Sequence, residues 1–269
     1  MVGCDHTSWL SFHNEGQILF RHTSALSDIV ASCGTPQKKW PSLVLLLGNA
    51  NASTLMKNVQ PKYRKCPKDR EPTGIHLRLD TEKMFSAHLV LFANSSLTNP
   101  LALSPEPPSA ACHRQNVRGI SWLDNKSAEA ADAVHSGLVG PFADLICIFS
   151  EHRKSPQQVV NRLIALCRQG QPPSFQLLPH PRVLVVAEPA ESRSPAAVQQ
   201  QLLELLREQS VEPSVDFISR FSVYVKHGNT QMLKDCIRSE IAISRDERAQ
   251  NHTLLNSVHF ERLFKYACD

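Results

Sequence analysis

PSLVLLLGNANASTLM (Pro41–Met56) joins a short, continuous apolar run to a glycine and then to a string of small residues. Ser42–Leu47 has the length and content of a strand buried on both faces of a sheet, closed by Gly48. Leu55 and Met56 open a segment with helical character to about Val59. Strand, small-residue turn and helix is the order that presents backbone N–H groups to a phosphate. The phosphate-loop pattern reads G-x-x-x-x-G-K-[ST]. Counted from Gly48, its second glycine falls on Ser53, its lysine on Thr54 and its hydroxyl residue on Leu55. The scaffold is there and its positive charge is not.

Outward from this stretch, strands and helices alternate. Ile75–Leu79 alternates apolar and polar residues, as an edge or half-buried strand does, and His88–Asn94 is continuously apolar, as a central one is. Ala143–Phe149, Arg182–Ala187 and Arg220–Val225 read as three further strands, and Ile120–Leu123 leads into the helix that follows it. Helices are expected at Ser127–Ser136, Pro156–Arg168, Pro195–Gln209, Thr230–Ser239 and Leu254–Ala267. Ser155 and Ser194 stand at N-cap positions, each followed by a proline at the first helical position. The expected class is α/β, a mostly parallel sheet with helices on both faces. Residues 1–40 read as a small N-terminal extension, with strands at Trp9–Phe12 and Gln17–Phe20 and a helix at Ser24–Cys33. Residues 41–240 form the main domain, and 241–269 a C-terminal helix. The basic, proline-containing Pro61–Thr73 and the proline-rich Asn99–Ala111 read as solvated loops.

The chain has 269 residues, 42% hydrophobic and 20% charged, enough for a sizeable core. A net charge of +4 is too mild to argue for nucleic acid. Cys4, Cys33, Cys66, Cys112, Cys147, Cys167, Cys236 and Cys268 are scattered without a C-x-x-C pair, so neither a metal site nor a disulfide framework is expected. A reducing, cytoplasmic setting follows. The opening MVGCDHTSWLSF lacks an apolar core of signal-peptide length, and no run suits a membrane span. The N-x-[ST] triplets at Asn51, Asn94, Asn125 and Asn251 are then chance.

The order of segments, together with SGLVGPFADLICIFSEHRKSPQQVVNRL, resembles the small-GTPase-like (P-loop NTPase-like) domain over roughly residues 40–240. The wording is also similar to the GTPase-like segment of large fungal multidomain proteins, some of which carry a patatin-like phospholipase module. No G-x-S-x-G elbow occurs, so no lipase activity comes with that likeness. The resemblance implies a P-loop GTPase-like topology and three motifs, each of them degenerate. The vestigial phosphate loop is Gly48, Asn49, Ser53 and Thr54. Thr73 stands at the magnesium-sensing switch position, and D-x-x-G becomes Asn94, Ser95, Ser96 and Leu97. The base-reading N-K-x-D becomes Ala187, Glu188, Pro189 and Ala190. Loss of the lysine leaves the phosphate charge without its offset, and loss of the carboxylate at Asn94 weakens the Mg²⁺ shell. Loss of the aspartate at Ala190 removes charge-assisted bonds to the base.

These positions suggest a non-catalytic pseudo-GTPase-like module that acts through a protein partner, with no cofactor, no metal and no tight GTP binding. One alternative is a nucleotide-binding enzyme with divergent motifs, holding phosphate through the backbone of Asn49–Thr54. Another is part of a fungal patatin-like phospholipase system. A third is a different α/β enzyme built around His76, Asp80 and His88, although no nucleophile motif accompanies them.

Overall fold

In the computed structural model, which describes residues 8–14, 18–48, 74–80, 87–95, 115–119, 130–150, 156–168, 179–187, 194–209, 211–225 and 230–268, strand direction follows connection length. The described strands are β1 (Ser8–Asn14), β2 (Ile18–Thr23), β3 (Trp40–Leu47), β4 (Ile75–Leu79), β5 (His88–Ser95), β6 (Gln115–Gly119), β7 (Leu145–Phe149), β8 (Arg182–Ala187) and β9 (Phe221–Val225). The helices are α1 (Ala25–Ser32), α2 (Ala130–Ala133), α3 (Pro156–Arg168), α4 (Pro195–Glu208), α5 (Val215–Arg220), α6 (Thr230–Gln250) and α7 (Ser257–Cys268). The chain divides into two compact units. The first comprises Met1–Pro41, Met56–Ala131 and Leu255–Asp269, and the second Ser42–Leu55 and Asp132–Leu254.

The first unit is antiparallel. Its strands run in the order β6-β2-β1-β4-β5, and the pairings β6/β2, β2/β1, β1/β4 and β4/β5 are all antiparallel. Only Glu15–Gln17 separate β1 from β2, and Asp80–Ala87 separate β4 from β5. A parallel return needs a crossover of about a dozen residues or more, so neither connection allows one. Against β4 the register of β1 shifts between Ser8 and Leu10, which leaves Trp9 as the extra residue of a bulge. Bulges re-aim side chains. Here the Trp9 ring meets Phe264 of α7 at 4.4 Å between centroids. Asn256 caps α7, its Oδ1 accepting from His259 N–H at 3.0 Å. The Ser257 N–H donates to the Lys39 carbonyl at 2.8 Å. Ser27 Oγ donates to Glu261 Oε1 at 2.6 Å, tying α1 to α7.

The second unit is parallel, in the order β3-β7-β8-β9. Val44 faces Leu145, Ile146 faces Val183 and Val185 faces Val223. Residues 43–46 and 145–148 are fully buried, and continuous apolar strands of this kind demand cover on both faces. α3 and α4 are the crossovers from β7 to β8 and from β8 to β9, and they pack on one another. α6 turns Leu233, Ile237 and Ile241 inward and packs against β7.

The expectation of a mostly parallel sheet with a P-loop GTPase-like topology is therefore wrong. The pairings β3/β7, β7/β8 and β8/β9 of the second unit are parallel, the pairings within the first unit are antiparallel, and β5, expected among the parallel strands, pairs antiparallel with β4. Continuous apolar character reports burial on two faces and says nothing of direction; the short link between β4 and β5 fixes direction. Four expected features, the helix from Leu55, the connection Thr81–Phe85 and the loops at Pro61–Thr73 and Asn99–Ala111, lie outside the described residues.

Candidate functional site

Ligands of parallel α/β sheets bind outside the carboxyl ends of the strands. In the second unit those ends are Leu47, Phe149, Ala187 and Val225. Gly48 continues β3 with φ +139°. A Cβ there would stand 2.8 Å from Phe149 Cβ and 3.2 Å from its carbonyl oxygen. The neighbouring strand end thus accounts for the glycine at this position. Ala187 closes β8 and is buried. One strand, β7, separates it from β3, which puts the two chain ends on the order of 10 Å apart across the sheet. Asn49, Ser53, Thr54, Thr73, Leu97, Glu188 and Ala190 lie outside the described residues. Asn94 sits inside β5 of the first unit, opposite His76 of β4.

His76, Asp80 and His88 do not form a cluster. His76 and Asp80 are four residues apart along extended chain, about 13 Å. Asp80 follows β4, where its N–H donates to the Val90 carbonyl at 2.8 Å. His88 opens β5 and lies beside Trp40, with ring centroids 6.4 Å apart.

The densest set of charged groups in the second unit lies at the opposite, amino ends of its strands. Asp144 precedes β7 and is buried. Its Oδ2 accepts from the Leu43 N–H at 2.9 Å, and its Oδ1 from Ser244 Oγ at 3.2 Å. Arg248 Nε stands 2.9 Å from the same Oδ1, a coulombic contact whose angle falls short of a hydrogen bond. The directed bond of that guanidinium runs from Nη2 to the Ala143 carbonyl, at 2.9 Å. Arg245 Nη1 donates to Ser42 Oγ at 3.1 Å. Arg182, the first residue of β8, reaches Glu240 at 2.5 Å and Glu247 at 3.2 Å. Arg220, just before β9, shares Glu247 at 2.5 Å and pairs with Asp216 at 3.0 Å. Ser222 Oγ donates to Glu240 at 2.9 Å.

Glu240, Ser244, Glu247 and Arg248 recur at three- and four-residue spacing, so one side of α6 meets the starts of β3, β7, β8 and β9. The helix was expected to stop at Ser239, before all four. The spacing was the available signal, hidden because the segment reads as polar surface. Each carboxylate of this set is committed to an arginine or a backbone N–H, which suits a clamp better than acid–base chemistry.

His135 lies in the π-helical stretch Val134–Val139 that follows α2. Burial lowers its pKa to about 3, and the nearby Arg162 charge adds to the effect, so the imidazole is neutral at pH 7. Burial raises the pKa of the Cys33, Cys147, Cys167 and Cys236 thiols, in Cys167 to about 11. These four are protonated at neutral pH and are poor nucleophiles. Among the described residues no group of three or more His, Cys, Asp or Glu is arranged to hold a metal ion. No helix of theirs is long and apolar enough to cross a membrane. No protein-family model matches the chain, and no curated protein matches it in sequence.

Proposed function

We propose that the chain is a non-catalytic module that acts by binding another protein. The observation that supports this reading is the packing at Gly48. Phe149 alone requires the glycine, so its presence is no argument for a bound phosphate. Ser53, Thr54 and Leu55 take the places of the glycine, lysine and hydroxyl that a phosphate loop needs. Backbone N–H groups at a helix start contribute on the order of 1 kcal/mol toward an anion. A micromolar ligand requires roughly 8 kcal/mol. A reducing compartment such as the cytoplasm suits the buried thiols of Cys33 and Cys147.

Calorimetric titration of the purified chain with GTP and with ATP, each in Mg²⁺, tests the proposal. No saturable heat is expected. Saturation at or below micromolar nucleotide would overturn it in favour of a nucleotide-binding enzyme with divergent motifs.

A further inference from the structure

α7 buries one side in the first unit and shows another to solvent. Phe260 and Phe264 are in the core. His259, Arg262, Leu263 and Tyr266, at three- and four-residue spacing, are exposed, and Lys265 is exposed beside them. Tyr266 is 73% and Leu263 36% exposed. The other exposed large apolar side chains among the described residues are Val117, Val215, Met232 and Ile243. Leu263 and Tyr266 are one turn apart on one face. Scattered single residues need no explanation, but an adjacent pair inside a charged rim has the make-up of an interface centre. The rim carries one sign. Arg262 and Lys265 form no ion pair with a described residue, whereas Glu261 is turned to Ser27.

We infer that this face of α7 binds an acidic segment of a partner protein, seating one apolar side chain of that segment against Leu263 and Tyr266. The inference rests on the reading of the chain as an interaction module. Charge complementarity names the partner: two cations with no ion-pair partner among the described residues flank the apolar pair, so a carboxylate-bearing segment gains at both edges while a basic one is repelled. Tyrosine supplies large contact area at low entropic cost and is enriched among the residues that dominate binding. A lipid surface fits less well. A helix lying in a membrane buries a whole apolar side, and that side of α7 is already in the core. Nucleic acid fits less well too, because so few cations neutralise few phosphates.

A random peptide library displayed on phage and selected on the intact chain tests the inference. Selected peptides should carry net negative charge and a leucine or aromatic anchor. Their affinity should fall at least tenfold with Tyr266→Ala and with the double variant Arg262→Glu, Lys265→Glu, and should fall as salt is raised. Thermal melts of these variants should match the parent, since the side chains changed are exposed. Peptides that are neutral or basic, peptides that bind parent and variants alike, or failure to select any would each overturn it. So would co-sedimentation with phosphatidylserine vesicles that the double variant abolishes, which would assign the face to lipid. The nucleotide titration is independent of all these outcomes. A peptide failure without nucleotide binding removes the α7 surface alone, while nucleotide binding removes the module reading.

Discussion

α6 and α7 are neighbours in sequence, both amphipathic and both rich in charge, and they dispose of that charge in opposite ways. α6 turns Glu240, Glu247 and Arg248 toward the strand starts of the second unit, where each has a partner of opposite sign. α7 turns Arg262 and Lys265 to solvent with no such partner among the described residues. The same residue types therefore serve as a fastening in one helix and as a display in the other. Charge content cannot tell the two apart; only the position of the counter-charge does.

The largest effect should come from breaking the fastening. Asp144→Ala leaves Arg248 buried without its carboxylate and the Leu43 N–H without its acceptor, and should cost about 3–5 kcal/mol in urea unfolding. A loss under about 1 kcal/mol would mean that α6 is held by its apolar side alone.

Next is the other end of the same strands, where packing takes the place of charge. Gly48→Ala puts a methyl against Phe149 Cβ at a φ that side chains rarely adopt, and should cost about 1–3 kcal/mol. Equal stability would show that Phe149 gives way easily, and the glycine would again need a ligand to explain it.

His135 adds a smaller, pH-dependent term. Its folded pKa, about 3, lies below the ordinary histidine value of 6.5. Between those values the unfolded chain takes up the proton and the folded chain refuses it, so stability falls as pH falls through this window. Urea unfolding at successive pH values should show protons taken up on unfolding, and His135→Gln should lower that uptake by close to one. An unchanged slope in that variant would place the uptake on other groups.

The smallest effect should be at α7. Arg262→Glu with Lys265→Glu should shift stability by less than about 0.5 kcal/mol. A drop comparable to that of Asp144→Ala would mean that the two helices do not differ as described.

The parts of this fold that sequence reveals are those where one physical demand dominates. β3, β7, β8 and β9 stand out because double-sided burial requires unbroken apolar residues. β6, Gln115–Gly119, is polar and short and gives no such sign. α5 was missed although Ser214 caps it, its Oγ accepting from the Phe217 N–H at 3.1 Å, because the helix has only six residues. The second half of α6 was lost because its charges pair with residues scattered over the chain, from Ser42 to Arg220. At the candidate site Gly48 was found for a reason the structure does not need. Whether a glycine serves a ligand or a neighbouring strand depends on what stands within 3 Å of it, and that neighbour, Phe149, is about a hundred positions away.

The bulge at Trp9 has a consequence for the order in which this chain takes shape. Trp9 and Phe264, the two rings that meet, lie far apart in sequence. The contact between them closes a long loop of chain. Closure of that size adds entropy only slowly with length, but it places the first unit among topologies whose formation is slow. Until that loop closes, the indole lacks the Phe264 ring, and exposed apolar surface of that kind is where misassembly begins.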